Sequence, residues 1–281
     1  MTKTVLLGLL AETPIHVGIG QAAEALDLPV AREHTTRFPH IPGSGVKGAF
    51  RVWAEQRPAL KSEIKTLFGA ASGDDTGNDA GAGTVLFGEA RLALLPVRCT
   101  TDSFKLATCP LIINRMLRDM ERAGSPQKTA VPAVLDGTYF GQAIPNSPLG
   151  LEEREFAHKT LDVANISNLL KTLMGDGAPA DFDSKLVIIS DSDFKWFAEF
   201  GLPLAMRNAL DENKIVKPGA LWAEETLAPD TVMWMVLSER KDGTAQQVLT
   251  EIGTKTYIQI GGNETIGQGW FSVRVIGAGQ P

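Results

Sequence analysis

The sequence predicts an α+β fold in which one sheet carries several insertions. Two patterns point there. Strand-type apolar runs alternate with segments whose apolar residues recur at helical spacing, and no unit returns at a fixed period, which excludes a solenoid. The length of 281 residues adds a third observation: it is near the upper size that one hydrophobic core supports, so a single elaborated domain over residues 1–281 is expected.

Residues 4–17 read as a first strand run, broken at Pro14 and ended by the flexible Gly18-Ile19-Gly20. An irregular segment then runs to Pro42, and a connection of that length in a compact domain is functional or disordered. Ser44 is expected to cap a helix whose apolar residues Val46, Ala49, Phe50, Trp53 and Ala54 form one buried face. Residues 69–83 form a flexible acidic insertion holding Asp74, Asp75 and Asp79 and no base. Residues 84–97 are rich in strand formers. Pro110 opens a helix over 111–122 that Gly124 closes, with Arg115, Arg118 and Arg122 on one face. A solvated or inter-subunit face is the simpler reading of those arginines.

Residues 185–190 have the continuous apolar character of a buried strand, and Asp191 is expected to cap a helix through Phe200 with Phe194, Phe197 and Ala198 inward. Residues 202–222 suggest a hairpin around Asp211-Glu212-Asn213. A strand over 231–237, a helix over 246–252 stopped by Gly253, and closing strands over 255–260 and 270–276 complete the pattern.

No apolar run approaches the roughly 20 residues that span a bilayer, and residues 1–10 lack the features of a signal peptide. Cys99 and Cys109 cannot make a disulfide framework, and with four scattered histidines they give no zinc-ligand spacing. A soluble protein of the reducing cytoplasm, without a membrane partner, fits these features. The net charge of −6 argues against a stand-alone nucleic-acid binder, which gains affinity by neutralising phosphates. Charge is segregated, however: residues 26–51 hold four Lys or Arg against two acids, and 105–128 hold five against two.

Two glycine-rich segments carry the candidate chemistry. Ile41-Pro42-Gly43-Ser44-Gly45-Val46-Lys47-Gly48-Ala49-Phe50-Arg51 sets glycines at a helix start, where free N–H groups and the helix dipole favour an anion. Lys47 and Arg51, four apart, share a face that suits neighbouring phosphates; a glycine turn with a solvated basic face fits the spacing equally well. The order Val46-Lys47-Gly48 is not that of a nucleotide-binding P-loop. The second segment, Gly261-Gly262-Asn263-Glu264-Thr265-Ile266-Gly267-Gln268-Gly269-Trp270, lies between two expected strands. It either lets another backbone approach closely or makes a tight strand connection.

Together with His16-Val17-Gly18, Pro96-Val97-Arg98, Cys109-Pro110-Leu111 and Gly219-Ala220-Leu221-Trp222 followed by Glu224-Glu225, these segments stand in the order seen in the RAMP superfamily. The chain resembles in particular the repeated backbone subunit of the Cmr, or type III-B, CRISPR complex. That resemblance implies a ferredoxin-like, RRM-type core with a protruding thumb hairpin, here near 202–222. It implies a stack of copies along a guide RNA, beside other effector subunits, with the thumb leaving a splayed nucleotide of the complementary target RNA at an acidic residue. Leu26-Asp27-Leu28-Pro29 stands at that place, so Asp27 is the implied catalytic residue and ligand of a divalent metal, most simply Mg²⁺. RNA contact is implied at His16, Arg32, Arg37, Gly43, Ser44, Lys47, Arg51, Arg207, Gly261, Gly262 and Asn263. The chain departs from relatives in having Gln268 where many carry a basic residue, and Glu89 where an Asp is common.

Three activities remain open at this stage. A metal-assisted endoribonuclease would use Asp27; a non-catalytic RNA-binding scaffold would leave cleavage to a partner; a metal-independent nuclease would use His16 as acid or base. Asp191 and Asp193 read as helix-start residues, while Glu224 and Glu225 offer acids for a neighbouring subunit's basic face or a metal.

Overall fold

The strand β1 (Thr4–Ala11) is buried along nearly its whole length, so its unbroken apolar run marks a strand covered on both faces. A computed structural model describes residues 3–18, 20, 27–70, 81–145 and 147–276. After β1 come β2 (His40–Ile41), α1 (Gly43–Glu55), α2 (Pro58–Lys61), α3 (Ile64–Phe68), β3 (Val85–Phe87), β4 (Ala90–Arg98), β5 (Phe104–Thr108) and α4 (Pro110–Arg122). The middle of the chain forms β6 (Thr138–Gly141), β7 (Leu149–Leu151), β8 (Arg154–His158), α5 (Ala164–Met174), α6 (Phe182–Lys185), β9 (Leu186–Ile189) and α7 (Asp191–Phe200). The hairpin β10 (Leu204–Leu210) and β11 (Val216–Glu225) precedes β12 (Val232–Glu239), α8 (Thr244–Ile252), β13 (Thr256–Gln259) and β14 (Trp270–Ile276).

The fold is mixed α+β. One large sheet runs β13-β14-β1-β12-β4-β5-β9-β6-β8-β7, with β2 on β4 and β3 on β12, while β10 and β11 form a separate two-stranded sheet. Within it β14, β1, β12 and β4 are successive antiparallel neighbours. With α1 after β1 and α8 after β12 they follow a β-α-β-β-α-β order.

Register shows why both faces are closed. Gly8 lies opposite Trp234 and Arg274. On that face Trp234 Nε1 donates to Asp119 of α4 at 3.0 Å. A Cβ on Gly8 would stand 2.3 Å from the Leu173 carbonyl oxygen of α5, so only glycine lets that helix settle. Leu9, Val273 and Thr256 align on the opposite face, where Trp53 Nε1 of α1 donates to Thr256 Oγ1 at 3.1 Å and α8 packs beside it. A nucleic acid therefore has no open face of these strands to stack on, and must be met by loops, edges and helix ends.

Two capping expectations are corrected. Helix α1 begins at Gly43 with Pro42 as its N-cap, whose carbonyl accepts from Val46 N; Ser44 sits exposed inside the first turn and makes no cap bond. For α7 the N-cap is Ser190, whose hydroxyl accepts from Asp193 N. Asp191 lies one residue inside and accepts from Leu111 N at 2.8 Å, because β9 ends at Ile189 and leaves Ser190 as the turning residue. The expected acidic residues Asp74, Asp75 and Asp79 lie outside the described residues.

Candidate functional site at the foot of the hairpin

The irregular segment after β1 is laid along the foot of β11. Leu28 N donates to Ala223 O at 3.2 Å and Glu225 N donates to Leu28 O at 3.0 Å, a short parallel bridge that fixes residues 27–30. This bridge places Asp27, whose Oδ2 accepts from Ala223 N at 2.8 Å. The carboxylate is exposed, and this is its one hydrogen bond among the described residues.

The two glutamates ending β11 hold the surroundings together. Glu225 accepts from Val30 N at 3.0 Å and from Arg32 at 2.6 Å, both side chains being buried. Arg32 also donates to the carbonyls of Arg37, Ala198 and Glu199, so the guanidinium is engaged within the protein. Glu224 accepts from Asn263 Nδ2 and lies 3.5 Å from Arg207 Nη2. With Glu224 3% exposed and Glu225 5%, the reading of these acids as a surface for a neighbouring subunit or a metal is overturned. A carboxylate this far from water needs internal partners, and the chain supplies them.

His16 joins the same assembly. Its Nδ1 donates to the Glu225 carbonyl oxygen at 2.8 Å, and its own carbonyl accepts from Gly262 N at 2.9 Å. The ring is buried against Gly18. The fold thus brings Asp27, His16, Arg32, Arg207, Gly261, Gly262 and Asn263 to one place, although residues 16 and 263 are far apart in sequence.

The α1 residues lie elsewhere. Arg51 pairs with Glu55 at 3.0 Å and donates to Gly69 O at 2.9 Å. Lys47 has no hydrogen-bond or ion-pair partner among the described residues, and Gly43 packs its backbone against Phe87 and Glu89. Arg37 is half exposed and pairs with Glu199 at 3.4 Å. Glu89 is paired with Arg91 at 2.8 Å. Helix α1 and the C-terminal glycine segment nevertheless face each other across a cleft of about 290 Å³, lined by Gly45, Gly48, Trp53, Tyr257, Gly261 and Trp270.

Sequence reading had no means of finding the Ala223 N–H, since every non-proline residue offers one and only the pairing of Leu28 with β11 selects it. As for a metal, the described residues contain no group of three His, Cys, Asp or Glu side chains able to cage an ion. Asp27 stands as a single exposed carboxylate, a donor set that fits Mg²⁺, which characteristically keeps waters and substrate phosphate oxygens and takes one or two carboxylates from protein. No described helix is long and apolar enough to cross a membrane.

The family model of the RAMP superfamily matches residues 9–272. The CRISPR system Cmr endoribonuclease Cmr4 of Pyrococcus furiosus is 30% identical over 284 aligned residues, covering 96% of this chain and 95% of that protein. A crystal structure of oligomeric Cmr4 from Pyrococcus furiosus superposes with a TM-score of 0.77 at 26% identity, over 98% of each chain. A chain of a type III-B Cmr-beta complex bound to cognate target RNA shares the fold, with a TM-score of 0.76 at 20% identity over 97% of this chain and 96% of that one. A family match from β1 to β14, together with a relative that aligns over nearly its full length, shows that this chain belongs to the RAMP superfamily.

Proposed function

We propose that the chain is a repeated backbone subunit of a type III-B CRISPR effector complex, binding guide RNA and cleaving complementary target RNA at Asp27. The observation that carries this reading is the placement of an exposed carboxylate at the foot of a projecting hairpin, with one oxygen fixed by Ala223 N. Relatives named as a Cmr endoribonuclease and as a Cmr complex with target RNA support it.

The chemistry asks for orientation before anything else. A ribose 2′-OH attacks the adjacent phosphate in line, and a chain that splays one nucleotide supplies that alignment. One face of the hairpin exposes Leu204, Met206 and Leu221, apolar side chains suited to wedging against base faces. The buried Arg32–Glu225 pair and the Asn263–Glu224–Arg207 chain hold the hairpin foot while its tip is loaded. A bound Mg²⁺, held by Asp27 with phosphate oxygens, would supply stabilisation of the charge developing on the phosphate. His16 serves the hairpin foot: its ring is tied to the Glu225 carbonyl, which speaks against the metal-independent nuclease reading. Because the free chain carries a net charge of −6, stacking of copies is what aligns its basic segments into a continuous groove.

The test is target-RNA cleavage by the reconstituted guide complex carrying wild-type or Asp27→Asn subunits, in Mg²⁺ and in EDTA. The expected result is evenly spaced cuts for the wild type and a loss on the order of 10²-fold or more in the variant and in EDTA, with guide binding and assembly intact. Unchanged cutting by the variant would leave the chain an RNA-binding scaffold and assign the nuclease to a partner.

A further inference from the structure

The basic face of α4 does not stand alone in the fold. Arg115, Arg118 and Arg122 meet Arg91 of β4, His40 of β2 and His34 of the preceding segment across two adjoining clefts, of about 450 and 220 Å³, that share Glu89 and Arg91. By count the acids nearly balance the bases, since Glu33, Glu89 and Asp119 line the same clefts. By arrangement they do not. Each carboxylate is engaged by an inner group: both oxygens of Glu33 accept from Arg115 Nη1, at 2.9 and 2.8 Å. Glu89 accepts from Arg91 Nε at 2.8 Å and stands 3.5 Å from His40 Nδ1. The buried Asp119 accepts from Arg91, Arg122 and Trp234. On the outside, Arg118 is exposed with no hydrogen-bond or ion-pair partner among the described residues, and the Arg122 side chain is 65% exposed, contacting Asp119 through one nitrogen.

The surface presented to an approaching molecule is therefore cationic, with guanidinium forks outward and inner arginines held behind them. The larger cleft is lined by Glu33, Thr35, the two histidines and arginines together with Glu89, all polar or charged. A protein interface is characteristically built around an apolar centre, which this cleft lacks, whereas guanidinium groups match phosphate oxygens two at a time. The clefts also adjoin the start of α1, where Gly43 packs on Phe87 and Glu89. Through Gly43 the first turn of α1 borders the smaller cleft, which Phe87, Gly88 and Glu89 line.

We infer that Arg118 and Arg122, backed by Arg91 and His40, form a phosphate-binding strip that carries the backbone of a single-stranded RNA from the N-terminus of α1 across β4 onto α4. This rests on the proposed RNA-binding function and extends it to a face outside the Asp27 site. It also replaces the simpler reading of the α4 arginines as a solvated or inter-subunit face.

The test is fluorescence anisotropy of a labelled single-stranded RNA titrated with the full-length chain at several NaCl concentrations, for wild type, Lys47→Ala, Arg118→Gln and the double variant Arg118→Gln/Arg122→Gln, with light scattering for oligomer size. In the double variant the slope of log affinity against log salt should become shallower by about 1.4, as for two lost single-strand phosphate contacts, and affinity near 0.1 M salt should fall on the order of tenfold. Arg118→Gln alone should give about half the slope change, and having no partner to lose it serves as the variant whose folding is not at issue. An unchanged slope in the arginine variants, with a shallower one in Lys47→Ala, would end the RNA track at α1 and overturn the inference while leaving the function standing. Smaller oligomers with unaltered RNA affinity would overturn it in favour of a protein interface. No salt-dependent RNA binding by the wild type, alone or in the guide complex, would remove both the inference and the function it rests on.

Discussion

The glycine-rich segments at residues 43–48 and 261–269 look alike as sequence, yet Gly48 of the first and Gly261 and Gly269 of the second stand in opposite surroundings. At Gly261 the backbone has φ +102°, and a Cβ would stand 2.4 Å from the His16 carbonyl oxygen. At Gly269 φ is +89°, and a Cβ would lie 2.7 Å from the Ile260 carbonyl oxygen. The approaching backbone is the protein's own, so glycine there is a condition of folding, and the segment is the tight strand connection between β13 and β14. In α1 a Cβ on Gly48 would meet nothing within 4 Å. Glycine inside a helix costs about 1 kcal/mol relative to alanine, and nothing among the described residues requires it at that position. The comparison teaches that a glycine explained by an internal contact speaks of stability, while one facing open space on a cleft wall speaks of an approach from outside.

Substitutions at these positions can break or sharpen the contrast. Gly261→Ala should have the largest effect, destabilising the fold by about 3 kcal/mol or more through backbone strain and collision with His16, seen in urea unfolding. A near-neutral result would show that the loop has room to move and would dissolve the contrast. Asn263→Gly keeps the left-handed backbone of that residue, φ +63°, but removes the amide that donates to Glu224 and Gln268. It should destabilise by about 1–2 kcal/mol, the effect of leaving a buried carboxylate short of a donor. A loss as large as that of Gly261→Ala would mean that side-chain bonding, not close approach, governs the segment. Gly48→Ala should act in the opposite direction, raising stability by roughly 0.5–1 kcal/mol while weakening RNA binding in the same titration proposed for the α4 arginines. Higher stability with unaltered RNA affinity would show that nothing approaches the helix there.

Much of the architecture was legible. Strands over 186–189, 232–239 and 270–276 and helices over 43–55, 110–122, 191–200 and 244–252 lie close to where apolar periodicity placed them, because each buries a continuous run or one clean stripe. The hairpin was legible from its polar turn, although β11 continues to Glu225, where its end is set by pairing with Leu28 and burial of the glutamates rather than by any breaker in the sequence. The short strands β6, β7 and β8 and the helix α5 went unread. Arg154-Glu155-Phe156-Ala157-His158 mixes charge with single apolar residues, and its strand character comes from neighbours that pair with it. Helix caps were misplaced by one or two residues at Ser44 and Asp191 because a preceding Pro42 or Ser190 took the turning position.

By itself the sequence determined the fold class, the family, the position of Asp27 in an irregular segment after the first strand, and the local basic segments. All of these reside in residue identity, order and periodicity, which act over a few neighbours at a time. Only the tertiary structure decided what each charged or glycine residue faces. It turned Arg32, Glu224 and Glu225 inward as a buried scaffold, set Asp27 against the N–H of Ala223, and joined Arg91 and His40 to the α4 arginines. The reason is that burial and partnering arise from strand register and helix packing between residues far apart in the chain, such as Gly262 and His16, whose contact their separate surroundings would not reveal, and one residue's slip in β11 would point Glu224 and Glu225 the other way.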